Sequence, residues 1–308
     1  MRTKKITPGD YQEKLPSLDL SKLKLDNGIT LDEDSLNIIN IAGDCFMTEF
    51  PEQYLWHYTS LESLYYIVEK GVRFSDYRFL NDENEVLGQY KFIKSIITDE
   101  IENNNFKKNF SNHLKYLIEQ NFHTYAENVF VFSLSERKDA LTQWQSYANC
   151  RDSCCVGFDL TETNIHNSSV LLGKVIYDNS EKFKIIVDGL KRIESVGKLS
   201  NKVRESIKKF ILICSLLFKD SQWNNEQEVR LVTFNREDIS YEYSKGFIRP
   251  YWYLKQKTYN DDNMKLFDIS EIVLLEKNEL RKGTLKGFLS NKGYNAQISE
   301  SKSGLQLF

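Results

Sequence analysis

The stretch LWHYTSLESLYYIVEKGVRFSDYRFLNDENE, Leu55 to Glu85, does most to limit what this chain can fold into. It opens on Trp56-His57-Tyr58-Thr59 and runs into Leu61, Leu64, Tyr65, Ile67 and Val68 at close to helical spacing. Gly71 ends that run, and Val72-Arg73-Phe74-Ser75 follows with strand composition. A strand, a helix, a glycine C-cap and a second strand predict a compact βαβ-like opening. Polar groups gather where the first strand becomes the helix, and the unpaired backbone N–H groups of a helix start can hold a ligand there. Asn81 and Asp82 are ordinary turn formers that lead to Glu85.

Periodicity carries the reading onward. Residues 85–102 predict a helix with Val86, Leu87, Tyr90, Ile93, Ile96 and Ile97 on its apolar side, and residues 107–120 extend helical character. The near-continuous apolar run at 129–135 predicts a strand buried on both faces. Asp139 reads as the cap of a helix that puts Trp144 and Tyr147 on one face. Residues 155–159 and 171–177 read as strands, and 183–219 as a packed helical insertion. Short strands near 272–275 and 296–298 flank a helix at 280–290. Residues 1–50, broken by Pro8 and Pro16, read as an N-terminal extension with one amphipathic helix over 31–42. The class is α+β.

A length of 308 residues admits two domains or one larger domain with insertions, and a 41% hydrophobic content supports a sizeable core. A formal charge of −3 gives no global attraction to nucleic acid or to an anionic membrane. The N-terminus MRTKKITPGDYQEKL lacks an apolar signal core. The most apolar run, 210–218, falls far short of the roughly 20 residues a bilayer needs. A cytoplasmic protein with no membrane partner is expected. The cysteines Cys45, Cys150, Cys154, Cys155 and Cys214 are odd in number and follow no framework spacing, which predicts reduced thiols. The 150–155 group lacks a CxxC pair and reads as ordinary core or surface thiols, with no zinc site expected.

The chemistry gathers near residue 226. From there the chain alternates, so Glu226, Glu228, Arg230 and Val232 fall on one strand face. Two carboxylates and a guanidinium in a row need a reason if that face is buried. Glu228 starts the apolar strand, reads as the better anchored of the pair and is the favoured catalytic carboxylate, with Arg230 as its orienting partner. Asp82, Glu85, Glu226 and Glu228 also admit a different reading, an Mg2+ site of nuclease type, because hard cations prefer carboxylates.

Taken jointly, four motifs resemble the bacterial family called domain of unknown function 2971. They are Trp56-His57-Tyr58-Thr59; Asn81, Asp82 and Glu85; Phe132-Ser133 followed by Asp139, Trp144 and Tyr147; and Lys219, Trp223, Glu226, Glu228 and Arg230. The resemblance runs from about 54 to 308, leaving 1–50 outside, and Gln143 stands where the family pattern has Met. That family is more distantly similar to ADP-ribosyltransferase-type enzymes, which hold NAD+ in a cleft of a split β-sheet with peripheral helices. The order His, then Ser with aromatics, then Glu matches His57, then Ser133 with Trp144 and Tyr147, then Glu226 and Glu228. Tyr58 stands where many such enzymes have Gly.

The resemblance implies NAD+ as substrate. It implies catalytic Glu228 and Glu226, and ligand contacts from His57, Tyr58, Thr59, Asn81, Asp82, Ser133, Trp144, Tyr147 and Arg230. It also implies a macromolecular acceptor, protein or nucleic acid, and a toxin or phage-defence role with an antitoxin or defence-system partner. Cleaving the nicotinamide–ribose bond passes through an oxocarbenium-like state, which a carboxylate stabilises. Aromatic faces stack on the cationic ring. A non-catalytic nucleotide-binding module is the third reading.

Overall fold

The computed structural model describes residues 54–80, 85–120, 122, 128–147, 152–159, 170–195, 201–234, 238–244, 246–254 and 267–303. The extension at 1–50 lies outside them, as do Asn81 and Asp82.

The predicted opening forms: β1 (Leu55–Ser60), α1 (Leu61–Lys70) and β2 (Val72–Asp76). Ser60 caps α1 by accepting from the Ser63 N–H, and Gly71, at φ 109°, ends it by donating to the Ile67 carbonyl. Then come α2 (Glu85–Glu102), α3 (Lys108–Glu119), β3 (Phe130–Ser135), α4 (Leu141–Tyr147), β4 (Ser153–Asp159) and β5 (Val170–Lys174). The expected helical block is two helices, α5 (Asn179–Ser195) and α6 (Asn201–Leu217). A 3-10 helix, Ser221–Glu226, leads into β6 (Glu228–Thr233). The chain closes with β7 (Ser240–Ser244), β8 (Phe247–Leu254), β9 (Asp268–Leu274), α7 (Glu279–Asn291) and β10 (Gln297–Glu300).

All ten strands among the described residues join one mixed sheet, ordered β10-β9-β4-β1-β3-β2-β8-β7, with β6 pairing β3 and β5. The sheet forks at β3. One edge of β3 pairs with β6 along its length, from Phe130↔Thr233 to Ser135↔Glu228. The other edge is shared: β1 meets it at Trp56↔Ser135, and β2 at Ser75↔Val131 and Asp76↔Phe130. Strands β1 and β2 are both antiparallel to β3, hence parallel to each other, and they diverge from it. So β1 and β2 do not pair directly, and the two strands of the expected βαβ-like unit meet opposite ends of one β3 edge.

Helices cover both faces. On one, Leu64 and Ile67 of α1 and Leu285 and Leu289 of α7 pack on Leu55, Phe132, Leu134, Val229 and Leu231. On the other, α2, α3, α5 and α6 build the largest apolar cluster, around Ile93, Leu114, Ile186 and Phe210. A smaller cluster on that same face joins Trp144 of α4 to Trp56, Tyr58, Cys155 and Val273. The charged residues lie between these two clusters. No described helix is long and apolar enough to cross a membrane.

Candidate functional site

Period-two alternation sets the site. Val229 and Leu231 face the α1/α7 layer, so Glu228 and Arg230 point the other way. There Arg230 grips Glu228 as a fork: Nε donates to Oε1 at 2.7 Å and Nη2 to Oε2 at 2.9 Å. Nη1 donates to the Leu216 carbonyl of α6 (2.6 Å), and Nη2 also donates to Glu85 at the start of α2. Lys219 completes the network. Its ammonium reaches Glu226 Oε2 at 2.5 Å, Glu228 Oε2 at 3.1 Å and Glu85 Oε2 at 3.4 Å. Three carboxylates thus face two cations, formally one negative charge in excess. Burial works against both charged forms, yet Arg230 and Lys219 hold the Glu228 carboxyl down at about 2, and Glu228 and Glu85 hold the Lys219 ammonium above its ordinary range.

Glu226 arrives differently from what alternation predicts. It ends the 3-10 helix, and Gln227, in the left-handed region at φ 42°, turns the chain before β6 begins. That turn lets two carboxylates one residue apart meet a single ammonium. The loop is tied down through the Glu226 carbonyl, which accepts from Ser135 Oγ (2.6 Å) and Gln143 Nε2 (3.1 Å). The Tyr177 hydroxyl accepts from the Glu228 N–H at 2.9 Å. Lys182, 1% exposed, donates to the Lys219 carbonyl at 2.6 Å.

The two catalytic candidates differ in what they have left to offer. Both Glu228 oxygens are engaged, by three charged hydrogen bonds from Arg230 and Lys219, and the Ser133 hydroxyl adds another. Glu226 has one partner on each oxygen, Tyr147 Oη (3.1 Å) and Lys219 Nζ. Its side chain is 11% exposed against 7% for Glu228. Residues 221–225 just before it are exposed, and Ser133, Tyr147 and Glu85 are half-buried. Burial, then the Glu226 carboxylate, hold the Tyr147 phenol protonated, above the ordinary tyrosine range. Trp223, 38% exposed, carries the Lys219 ammonium 5.5 Å from its ring centroid. Both carboxylates are buried, and Glu226 is the less sealed: Tyr147 meets one oxygen, and Lys219, beside the Trp223 ring, meets the other.

The other expected contacts fall into place around this network or away from it. Ser133, Tyr147, Glu226, Glu228 and Arg230 come together. Arg230 does not face a ligand: it is 1% exposed with its donors spent on protein groups, and it orients Glu228. Trp144 is fully buried, its Nε1 donating to Asp139 Oδ1 at 2.7 Å, so its ring packs the core. Tyr58 packs edge-on against Trp144, and its hydroxyl donates to the Arg137 carbonyl and accepts from the Ala140 N–H, both at 2.8 Å.

His57 and Thr59 alternate with Trp56 and Tyr58 and so stand on the opposite sheet face from Glu228. His57 does not share a cleft with the glutamates. Its Nδ1–H donates to the Ser133 carbonyl at 2.9 Å, at the stretch of β3 that neither β1 nor β2 pairs, and its ring lies 4.4 Å from Phe132. Burial lowers its pKa to about 4, so it is a neutral imidazole at the fork. An apolar groove of about 450 Å³ between α1 and α7, lined by Leu61, Tyr65, Leu285 and Phe288, is also on that face, away from the carboxylates.

Sequence reasoning left Lys219 and Trp223 as motif members without roles, and left out Ser135 and Tyr177. Lys219 and Trp223 carried a signal in their spacing before Glu226. Ser135 and Tyr177 carried none. No group of three or more His, Cys, Asp or Glu suited to a metal occurs among the described residues, and Lys219 with Arg230 fills the cationic role among the carboxylates.

With this geometry in view, the comparisons bear on the β6 side of the site. Residues 143–231 match the family model described as protein of unknown function (DUF2971). They form a DUF2971 family domain. The DUF2971 span contains Gln143, Trp144, Tyr147, Tyr177, Lys219, Trp223, Glu226, Glu228 and Arg230, while His57, Glu85 and Ser133 lie before it. No curated protein and no solved structure matches the chain.

Proposed function

We propose that the carboxylate site takes NAD+ and cleaves its nicotinamide–ribose bond, giving ADP-ribosyl transfer to a macromolecule or hydrolysis. One observation carries the reading: Glu226, the less sealed of the carboxylates, accepts from Tyr147 and from Lys219, whose ammonium lies over the Trp223 ring, in a network with one formal negative charge in excess. Such a site favours a flat cationic ring and the positive charge that grows on the ribose as the bond breaks. The forked sheet adds support, since ADP-ribosyltransferase-type enzymes, which the motifs resemble, hold NAD+ on a split sheet.

In this reading the C1′–N bond breaks and its electron pair leaves with nicotinamide. The oxocarbenium-like ribose is stabilised by Glu226 and captured by water or by an acceptor nucleophile, which loses its proton. Glu226 also accepts a hydrogen bond from a ribose hydroxyl. Lys219 holds Glu226 and is itself held by Glu228, Arg230 holds Glu228, and Tyr147 orients the near oxygen. The role of favoured carboxylate thus passes from Glu228 to Glu226, because the anchoring that recommended Glu228 consumes its hydrogen-bonding capacity. A role in toxicity or phage defence, with a restraining partner, belongs to the same proposal.

The test is the full chain incubated with NAD+ labelled in the adenylate half, with and without cell lysate. Label transferred to a macromolecule, or free nicotinamide without lysate, supports the proposal. A chain whose melting point NAD+ leaves unmoved, and which releases no nicotinamide, would contradict it.

A further inference from the structure

The described sheet ends on β7, which pairs only with β8 among the described residues, so its outer edge meets no other described strand. Natural edges are usually blunted by Lys, Pro or a bulge. This strand, Ser240–Ser244, has no Lys, Pro or bulge, and its one charge, Glu242, is held by Arg73 of the same chain. Instead it shows two large exposed rings, Tyr241 (64%) and Tyr243 (79%), with Ile248 of β8 (68%) opposite Tyr243. Its sequence, Ser-Tyr-Glu-Tyr-Ser, reads the same in both directions.

We propose that β7 is a dimer seam that pairs antiparallel with β7 of a second copy, about a two-fold axis through Glu242. A palindromic strand is suited to that occupant. Centred on Glu242, antiparallel pairing sets Tyr241 opposite the second copy's Tyr243, and Ser240 opposite its Ser244, so each ring gains a cross-strand aromatic partner. Both copies' Tyr241, Tyr243 and Ile248 then line one face of a continuous sheet, and the rings flank one another across the seam.

The charges fit as well. Two Glu242 carboxylates side by side would repel. Each, however, already accepts twice from Arg73 of its own chain, once at 2.9 Å, and lies opposite Arg249 on β8. The seam therefore sets two carboxylates among four guanidinium groups. Arg73 and Arg249 each keep a buried Nε with no hydrogen-bond partner. The inference is independent of the carboxylate site, which lies at β6.

Sedimentation velocity on the full chain tests it. At roughly 100 µM, well above the micromolar range of weak interfaces, the wild type should sediment at twice the chain mass, and the Tyr241→Lys/Tyr243→Lys variant at the chain mass with an unchanged melting point. The register has its own readout. Glu242→Cys places two thiols across the axis at cross-strand spacing, within disulfide range, and should give a covalent dimer under mild oxidation where Ser240→Cys gives far less. A monomeric wild type at that concentration, a double-lysine variant that still dimerises, or equal cross-linking at 240 and 242 would each overturn the seam.

Discussion

The two faces of the sheet beside β3 solve different problems with the same strand. On the β6 side, five charged groups from α2, the link after α6, the 3-10 helix and β6 are gathered together and hold one another. On the β1 side, a half-buried neutral imidazole packs on Phe132 and donates to one carbonyl. Ser133 touches both, with its carbonyl toward His57 and its hydroxyl toward Glu228. The difference teaches that burying charge demands a closed set of partners, whereas burying a titratable base is achieved by keeping it uncharged. It also separates the residues that are free to meet a ligand from those already committed to the protein.

The largest expected effect comes from opening the charged side. Arg230→Met removes the fork from Glu228 and strands Glu228 and Glu85 without their main cation. Unfolding in urea should show a loss of about 3–5 kcal/mol. The double variant Arg230→Met/Glu228→Leu should recover much of it, because no unpaired charge at Glu228 remains. A loss in Arg230→Met no larger than that of a surface substitution would break the contrast between the faces.

The imidazole side should respond to pH. Burial sets the His57 pKa at about 4, below the ordinary 6.5. Between those values the unfolded chain binds a proton that the folded chain does not, so stability falls as pH drops through that window. Over the full window His57 accounts for on the order of 3 kcal/mol. In His57→Gln, the slope of unfolding free energy against pH from 6.5 to 4 should flatten. An unchanged slope would place the imidazole in contact with solvent. Glu228 acts at lower pH: its folded pKa is depressed, so its stabilisation is present above the ordinary carboxylate range and is lost as pH falls towards about 2.

The smallest effect sharpens the site. Trp223→Ala removes an exposed ring beside Lys219, the cation that holds Glu226. NAD+ affinity by calorimetry should weaken by about 1 kcal/mol, with folding stability nearly unchanged. Equal affinities would take Trp223 out of the site.

Local pattern made much of this legible. The helix at 85–102 and the strand at 129–135 follow from apolar spacing alone, and Glu228 with Arg230 shares a face as alternation requires. What escaped the sequence depends on long-range register. The face on which His57 stands is fixed by β1 meeting β3 at Trp56↔Ser135 and then diverging, and residues in β1 carry no mark of it. The convergence of Glu226 and Glu228 on Lys219 depends on one left-handed residue, Gln227. The β7–β8 hairpin went unread because its apolar residues point outward and Pro250 interrupts its second strand. The DUF2971 match at 143–231 is likewise narrower than the span over which the motifs suggested a resemblance.

The central claim is that the less sealed carboxylate, Glu226, and not Glu228, meets the ribose. Nicotinamide release from NAD+ under saturating substrate, measured for the wild type, Glu226→Gln and Glu228→Gln, tests it most directly. Glu226→Gln should lower turnover by roughly 10²–10⁴ with NAD+ affinity little changed, because it removes charge felt mainly in the transition state. Glu228→Gln should lower folding stability first and turnover less. Undiminished turnover in Glu226→Gln, with the wild type clearly active, would contradict the account.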